Sequence, residues 1–81
     1  MENGYFSAPV SVALGVSGDI QYIYSAKAAL DLLKSNWREQ GSFKHLAAIR
    51  ACQAAIRGEK PAEQARIAFT EAADEARVLA S

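Results

Sequence analysis

The first part of the chain alternates between large apolar residues and small or polar ones, a pattern typical of β-strands. Val10, Val12 and Leu14 fall on one side of this alternation, so the sequence predicts a half-buried strand here. Residues 15–19 hold two glycines and an aspartate and predict a turn. The stretch 20–24 is rich in isoleucine and tyrosine and predicts the returning strand of an antiparallel β-hairpin.

The sequence leaves open which face of this second strand is buried. Ile20, Tyr22 and Tyr24 form one alternating set, whereas Ile23 belongs to the other. A bulge near the turn would reconcile the two sets. If Ile23 points inward, both tyrosines face outward and form an aromatic surface suited to binding a partner.

Beyond the hairpin, apolar residues recur at steps of three and four, which predicts α-helices. Ser25 is a good N-cap for a first helix that runs to about Trp37. Ser42 can cap a second helix over about 43–57, and Gly58 is placed to end it in the left-handed conformation.

A third helix follows Pro61, and residues 78–80 either fray or add a short strand. The predicted buried stripe of the third helix consists mostly of alanine: Ala62, Ala65, Phe69, Ala72, Ala76 and Leu79. An isolated hairpin is barely stable, so helices must cover one of its faces. The expected fold is therefore an α+β domain of order β-β-α-α-α over residues 9–81, after a flexible lead-in over residues 1–8.

The many alanines limit what the core can contribute to stability. Hydrophobic residues make up 51% of the 81 residues, but 17 of them are alanine. A buried alanine methyl contributes about 0.8 kcal/mol, against about 1.5–3 kcal/mol for a buried Leu, Ile or Phe. The larger side chains expected to anchor the core are few and include Phe43, Leu46 and Ile67. A core this light favours self-association, so we expect a homodimer.

The formal net charge is zero, so the chain has no overall attraction to nucleic acid or to an anionic membrane. Basic residues exceed acidic ones within 26–60, whereas 61–81 is acidic in balance. The second and third helices resemble a helix-turn-helix in order. However, the third carries Glu63, Glu71 and Asp74 on its outer side, which phosphates repel. We expect no nucleic-acid partner.

Targeting signals are absent from the sequence. A single cysteine excludes an internal disulfide, and the first residues lack the basic start and apolar run of a signal peptide. No stretch approaches the roughly 20 apolar residues of a membrane span. We expect a cytoplasmic protein with no membrane partner.

Cys52 and His45 are the best candidates for chemistry in this chain. They lie seven residues apart on the second helix, on a face predicted to include Ile49 and Ile56. Seven residues rise about 10 Å along the axis, whereas a catalytic dyad needs about 2.6–3.2 Å. The same separation prevents shared binding of one zinc ion. We expect Cys52 in the core, His45 packed or capping, and no catalytic, cofactor or metal site.

Two further side chains have both a structural and a binding interpretation. Trp37 either closes the first helix against the hairpin as a core anchor or lies exposed in a binding patch. Arg66 either pairs with Glu63 of its own fold or clamps a carboxylate of a partner. Three residues discussed above complete the candidate interaction surface: Tyr22, Tyr24 and His45.

A series of marked residues runs along nearly the whole chain: Pro9–Val10, Ser25, Trp37, Gly41, His45, Ala48, Cys52, Gly58, Ala65–Arg66, Phe69, Ala72–Ala73 and Glu75–Ala76. This order resembles a family of small bacterial proteins known as a domain of unknown function, number nine hundred and eighty-two. The family often has proline after the tryptophan, where this chain has Arg38, so the end of the first helix is less sharply defined. The resemblance implies a single domain and carries no activity, substrate or cofactor.

Together these observations predict a non-enzymatic protein-interaction or regulatory module. It would self-associate through an alanine-lined helix or through the edge of the hairpin, or bind another protein. The alternative is a small-ligand or redox-sensing module that uses Cys52 and His45.

Overall fold

Two antiparallel strands followed by three helices form the fold. The computed structural model describes residues 4–14, 18–35, 37 and 40–80. The elements are β1 (Tyr5–Ala13), β2 (Ile20–Ser25), α1 (Ala26–Ser35), α2 (Phe43–Ile56) and α3 (Ala62–Glu75). The predicted α+β architecture of order β-β-α-α-α is confirmed.

The register of the hairpin decides which face of β2 is buried. Val10 lies opposite Ile23, and the pairing stays regular from there toward the turn. Val10, Val12 and Ile23 are all buried, so Ile23 points inward. No bulge near the turn is needed, because the inward residues of both strands follow from one regular register.

β1 begins earlier than the sequence predicted. Residues 5–8 lie in this strand, where a lead-in over residues 1–8 was expected. The register shifts between Tyr5 and Val10, a stretch that contains Pro9, which has no N–H to donate to the ladder. This irregularity breaks the apolar alternation and hides the start of the strand. Residues 1–3 lie outside the described residues.

The C-terminal segment, residues 78–80, runs beside β1 on the edge opposite β2. Val12 forms an isolated antiparallel bridge with Leu79. The carbonyl oxygen of Ser11 and the N–H of Ala13 bond to this segment at 2.9 and 2.7 Å. The segment therefore pairs with the sheet instead of fraying, although it forms a bridge and not a full strand.

Helix α3 ends on a residue in the left-handed conformation. Arg77 has a φ of 61°, and the N–H of Val78 reaches back to the carbonyl of Ala73 at 2.9 Å. These are the features of a Schellman motif, in which glycine usually takes the left-handed position. Arginine there costs about 1–2 kcal/mol, and the turn directs the chain back to β1.

The predicted helix caps are present. The Oγ of Ser25 accepts a hydrogen bond from the N–H of Ala28 at 3.2 Å, and the Oγ of Ser42 accepts one from His45 at 3.1 Å. Gly58 follows α2 with a φ of 77°. Each signal is local, because a cap depends on backbone groups within three residues.

The core lies between the sheet and the helices. β2 packs on α1, β1 packs on α3, and α2 packs against both of these helices. The small stripe of α3 is buried at four of its predicted positions: Ala65, Phe69, Ala72 and Ala76. Within the described ranges, no helix has the length and apolar character that a bilayer crossing requires.

Candidate interaction surface

His45 lies buried where α1, the connecting loop and α2 meet. Its Nδ1 accepts the N–H of Gly41 at 3.1 Å, and its Nε2 lies 2.7 Å from the carbonyl oxygen of Leu33. Because a backbone N–H only donates, Nδ1 is unprotonated, and the ring proton on Nε2 is donated to Leu33. Leu33 is one of the last four residues of α1, whose carbonyls have no partner inside the helix. The imidazole thus caps α1 and takes no part in an exposed surface.

Cys52 is completely buried on the same side of α2 as His45. Burial removes water from the thiol and raises its pKa to about 12. A thiol that stays protonated is a poor nucleophile, so the redox-sensing alternative gains no support. Within the described part of the chain, no group of three or more His, Cys, Asp or Glu side chains is arranged to hold a metal ion.

Trp37 is a core residue and lies just beyond α1. Its ring centroid is 5.5 Å from that of Phe69 on α3, with the planes tilted by 45°. Aromatic pairs of this kind are worth about 0.5–1.5 kcal/mol beyond their buried area. The predicted end of the first helix at Trp37 was wrong, since α1 stops at Ser35. The indole packs on Phe69 and is buried, which agrees with the interpretation of Trp37 as a core anchor.

Arg66 pairs with Glu63 of its own fold, which is the structural one of its two interpretations. Its guanidinium forms two hydrogen bonds with the carboxylate of Glu63, of which the bond from Nε measures 2.9 Å. This interaction lowers the pKa of Glu63, and the hydroxyl of Ser7, 3.1 Å away, lowers it further. The cluster ties β1 to α3 at an exposed site, and Arg66 is already occupied.

The structure corrects the predicted buried face of α2. Ile49 is only half-buried and Ile56 is exposed, although both were expected on that face. The buried side is instead made of smaller residues: His45, Ala48, Cys52 and Ala55. Small side chains on this side let α2 pack closely against α1 and α3.

Two expected core anchors lie on the opposite side of α2. Phe43 is 85% exposed and Leu46 is 46% exposed. With Ala47 and Arg50 they border an open depression of about 450 Å³. We call these four residues the α2 outer face. Their spacing of three, four and seven residues places them on one face of α2, on the side away from the buried residues of this helix.

Tyr22 and Tyr24 stand on the outward face of the hairpin. They are 56% and 57% exposed, and Ile20 beside them is also more than half exposed. We call these three residues the β2 face. It is the aromatic surface that the sequence predicted for the case in which Ile23 points inward.

Residues 8–80 match the model of a family described as "protein of unknown function (DUF982)". The chain belongs to this family. Among solved structures, the NMR structure of the Agrobacterium tumefaciens protein Atu1219, a structural-genomics target, is similar to this DUF982 chain. The two share 29% identity over 96% of this chain and 77% of that chain, with a TM-score of 0.79. No curated protein matches the chain.

The match confirms the family resemblance of the sequence. It runs from within β1 to the C-terminal segment. The capping histidine, the β2 face and the α2 outer face therefore all lie inside the DUF982 region.

Proposed function

We propose that this protein is a non-enzymatic interaction module that pairs with a second copy of itself through the free edge of β2. The observation that carries the proposal is the exposed, uncharged edge strand with Tyr22 and Tyr24 upon it. The best candidates for chemistry, His45 and Cys52, support a non-enzymatic role because both serve the core.

The hydrogen bonds of β1 show which way its backbone groups point. Ser11 and Ala13 direct theirs toward the C-terminal segment. In a strand, consecutive residues direct these groups to opposite edges. Val10 and Val12 therefore direct theirs toward β2.

The same alternation identifies the free groups of β2. Val10 and Val12 lie opposite Ile23 and Gln21, so these two residues of β2 complete the ladder with β1. Tyr22 and Tyr24 then direct their N–H and C=O groups away from the sheet. Among the described residues, no strand pairs with this edge, so these backbone groups and the exposed tyrosine side chains can meet a strand of another chain.

β2 also lacks the devices that usually protect an edge strand. Such strands commonly carry a lysine, a proline or a bulge that prevents pairing with another chain. Ile20–Ser25 contains no charged residue and no proline. Its pairing is regular from Ile20 to Ile23, and the register shift beyond Ile23 lies on β1, which has four residues between Tyr5 and Val10 where β2 has one between Ile23 and Ser25. Tyrosine is enriched at protein interfaces, which makes this edge suitable for association.

A second copy offers the same edge in a compatible direction. Antiparallel pairing about a two-fold axis at Ile23 places Tyr22 of one copy opposite Tyr24 of the other. Each such pair exchanges two backbone hydrogen bonds, and the tyrosine rings of both copies lie on one face of a continuous sheet. No like charges oppose each other, because β2 carries none.

The test is sedimentation velocity from micromolar to millimolar concentration, combined with light scattering. The wild type should show a concentration-dependent dimer. One variant carries Tyr22→Lys and Tyr24→Lys, and a second carries Tyr22→Glu and Tyr24→Glu. Each should be monomeric alone because like charges oppose each other, and an equal mixture should form a heterodimer.

Phe43→Lys provides the matched control, since it adds a charge to an exposed aromatic position away from the sheet. It should leave the dimer intact. A wild type that stays monomeric at millimolar concentration would contradict the proposal. So would a lysine variant that still dimerises, or a mixture that remains monomeric while both variants are folded by circular dichroism.

A further inference from the structure

We infer that the α2 outer face binds an acidic amphipathic helix of a partner protein. The site lies on a different element from the β2 edge, and it does not depend on self-association. Its four residues are Phe43, Leu46, Ala47 and Arg50.

The shape of the depression favours a helix as the occupant. Its four residues stand at positions i, i+3, i+4 and i+7 of α2. Four residues with this spacing form the hole that receives one side chain, the knob, of a facing helix in knobs-into-holes packing. Ala47 is the smallest of the four and leaves the space between Phe43 and Arg50 open.

The α2 outer face exposes two large apolar side chains to water. Phe43 is the most exposed of the large hydrophobic residues in the described part of the chain. Leu46 lies three residues further along the same face, so the two can flank one apolar knob. Isolated apolar residues are normal on a surface, whereas Phe43 and Leu46 are neighbours that border the same depression.

The charges around the face decide the character of that helix. No aspartate or glutamate occurs in residues 40–58, and the carboxylate of Glu75, which α3 brings to the start of α2, is hydrogen-bonded to the hydroxyl of Ser42. Arg57 is paired with Glu59 at 3.2 Å, whereas Lys44 and Arg50 have no ion pair with any described residue. A helix with carboxylates beside its apolar knobs would pair with these two cations. A second copy of α2 is disfavoured because it would oppose basic residues with basic ones.

A synthetic heptad peptide tests the inference. The probe has leucine at positions a and d and glutamate at e and g, and a matched peptide has lysine at e and g. Titration into the ¹⁵N-labelled chain should shift the amide signals of Leu46, Ala47 and Arg50. The glutamate peptide should bind at least about tenfold more tightly than the lysine peptide.

Arg50→Glu should weaken binding of the glutamate peptide by about tenfold or more. Lys34→Glu on the exposed side of α1 makes the same change of sign and should leave binding nearly unchanged. Repeating the titration with the monomeric β2 lysine variant keeps this result separate from the proposed self-association.

Several outcomes would overturn the inference. The glutamate peptide could leave the amide signals unshifted, or it could shift mainly those of β2. The two peptides could also bind with equal affinity, or Arg50→Glu could leave the affinity for the glutamate peptide unchanged. Sedimentation with vesicles of anionic phospholipid forms the last arm. If the wild type binds vesicles but not the peptide, and Arg50→Glu abolishes vesicle binding, the face binds a membrane surface and the inference is wrong.

Discussion

Replacing His45 with phenylalanine would separate the hydrogen bonds of the imidazole from its packing. Phenylalanine keeps an aromatic ring in the buried position but offers neither an acceptor nor a donor. The N–H of Gly41 and the carbonyl of Leu33 therefore lose their partners together. The variant tests whether one side chain joins the end of α1 to the start of α2.

The two lost bonds should differ in cost because their surroundings differ. Gly41 is exposed, so its N–H can turn to water, and the loss costs about 0.5–1.5 kcal/mol. Leu33 is fully buried, so its unpaired carbonyl costs about 1–3 kcal/mol. The expected loss is about 3 kcal/mol. Folded domains of this length have only about 4–12 kcal/mol of stability in total.

Urea unfolding followed by circular dichroism measures this loss as a change in the free energy of unfolding. His45→Gln offers an amide donor to Leu33 and should recover part of the loss. It also provides a readout if the phenylalanine variant does not fold. Imidazole ¹⁵N shifts of the wild type should report the tautomer with the proton on Nε2. A phenylalanine variant within about 0.5 kcal/mol of wild type would refute the role assigned to the ring.

Three further predictions follow from buried or strained positions. Burial raises the pKa of the Cys52 thiol to about 12 in the folded chain, whereas a thiol in the unfolded chain has a pKa of about 8.5. At pH values below about 8.5 the thiol is protonated in both states, so its contribution to stability is complete. Above that value the unfolded chain gains a thiolate, so the stability of wild type relative to Cys52→Ala should fall by about 1.4 kcal/mol per pH unit. Arg77→Gly should raise the free energy of unfolding by about 0.5–1 kcal/mol, because glycine takes the left-handed conformation without strain. Ser42→Ala should lower it by about 1 kcal/mol, because the variant loses both the α2 cap and the exposed hydrogen bond from the serine hydroxyl to Glu75 of α3. Urea titrations measure all three.

Each of these predictions has an outcome that contradicts it. The Cys52 argument fails if the difference between wild type and Cys52→Ala is constant from pH 8 to 10. Rapid alkylation of the native thiol at neutral pH would count against it as well. A destabilised Arg77→Gly would show that the arginine side chain outweighs its backbone strain. An unchanged Ser42→Ala would mean that water replaces the serine oxygen without loss.

Much of the fold was predictable because its signals are local. Caps, turns and apolar spacing depend on groups a few residues apart, so Ser25, Ser42 and Gly58 mark helix ends correctly from the sequence. The alanine stripe of α3 was predictable for the same reason, because it depends on the spacing of residues three and four apart. Phe69 is the one large buried side chain on that face. The alternation of Val10 and Val12 likewise identified the inward face of β1.

The candidate surfaces depended on contacts between distant parts of the chain. Ile23 is buried because it lies opposite Val10, a register that its own strand does not specify. α2 is apolar on more than one side, so only its close approach to α1 and α3 decided that Phe43 is exposed and Cys52 is buried. Local sequence determined where strands and helices form. Tertiary packing determined which faces remain available for binding, because small and large apolar residues compete for the same limited interior.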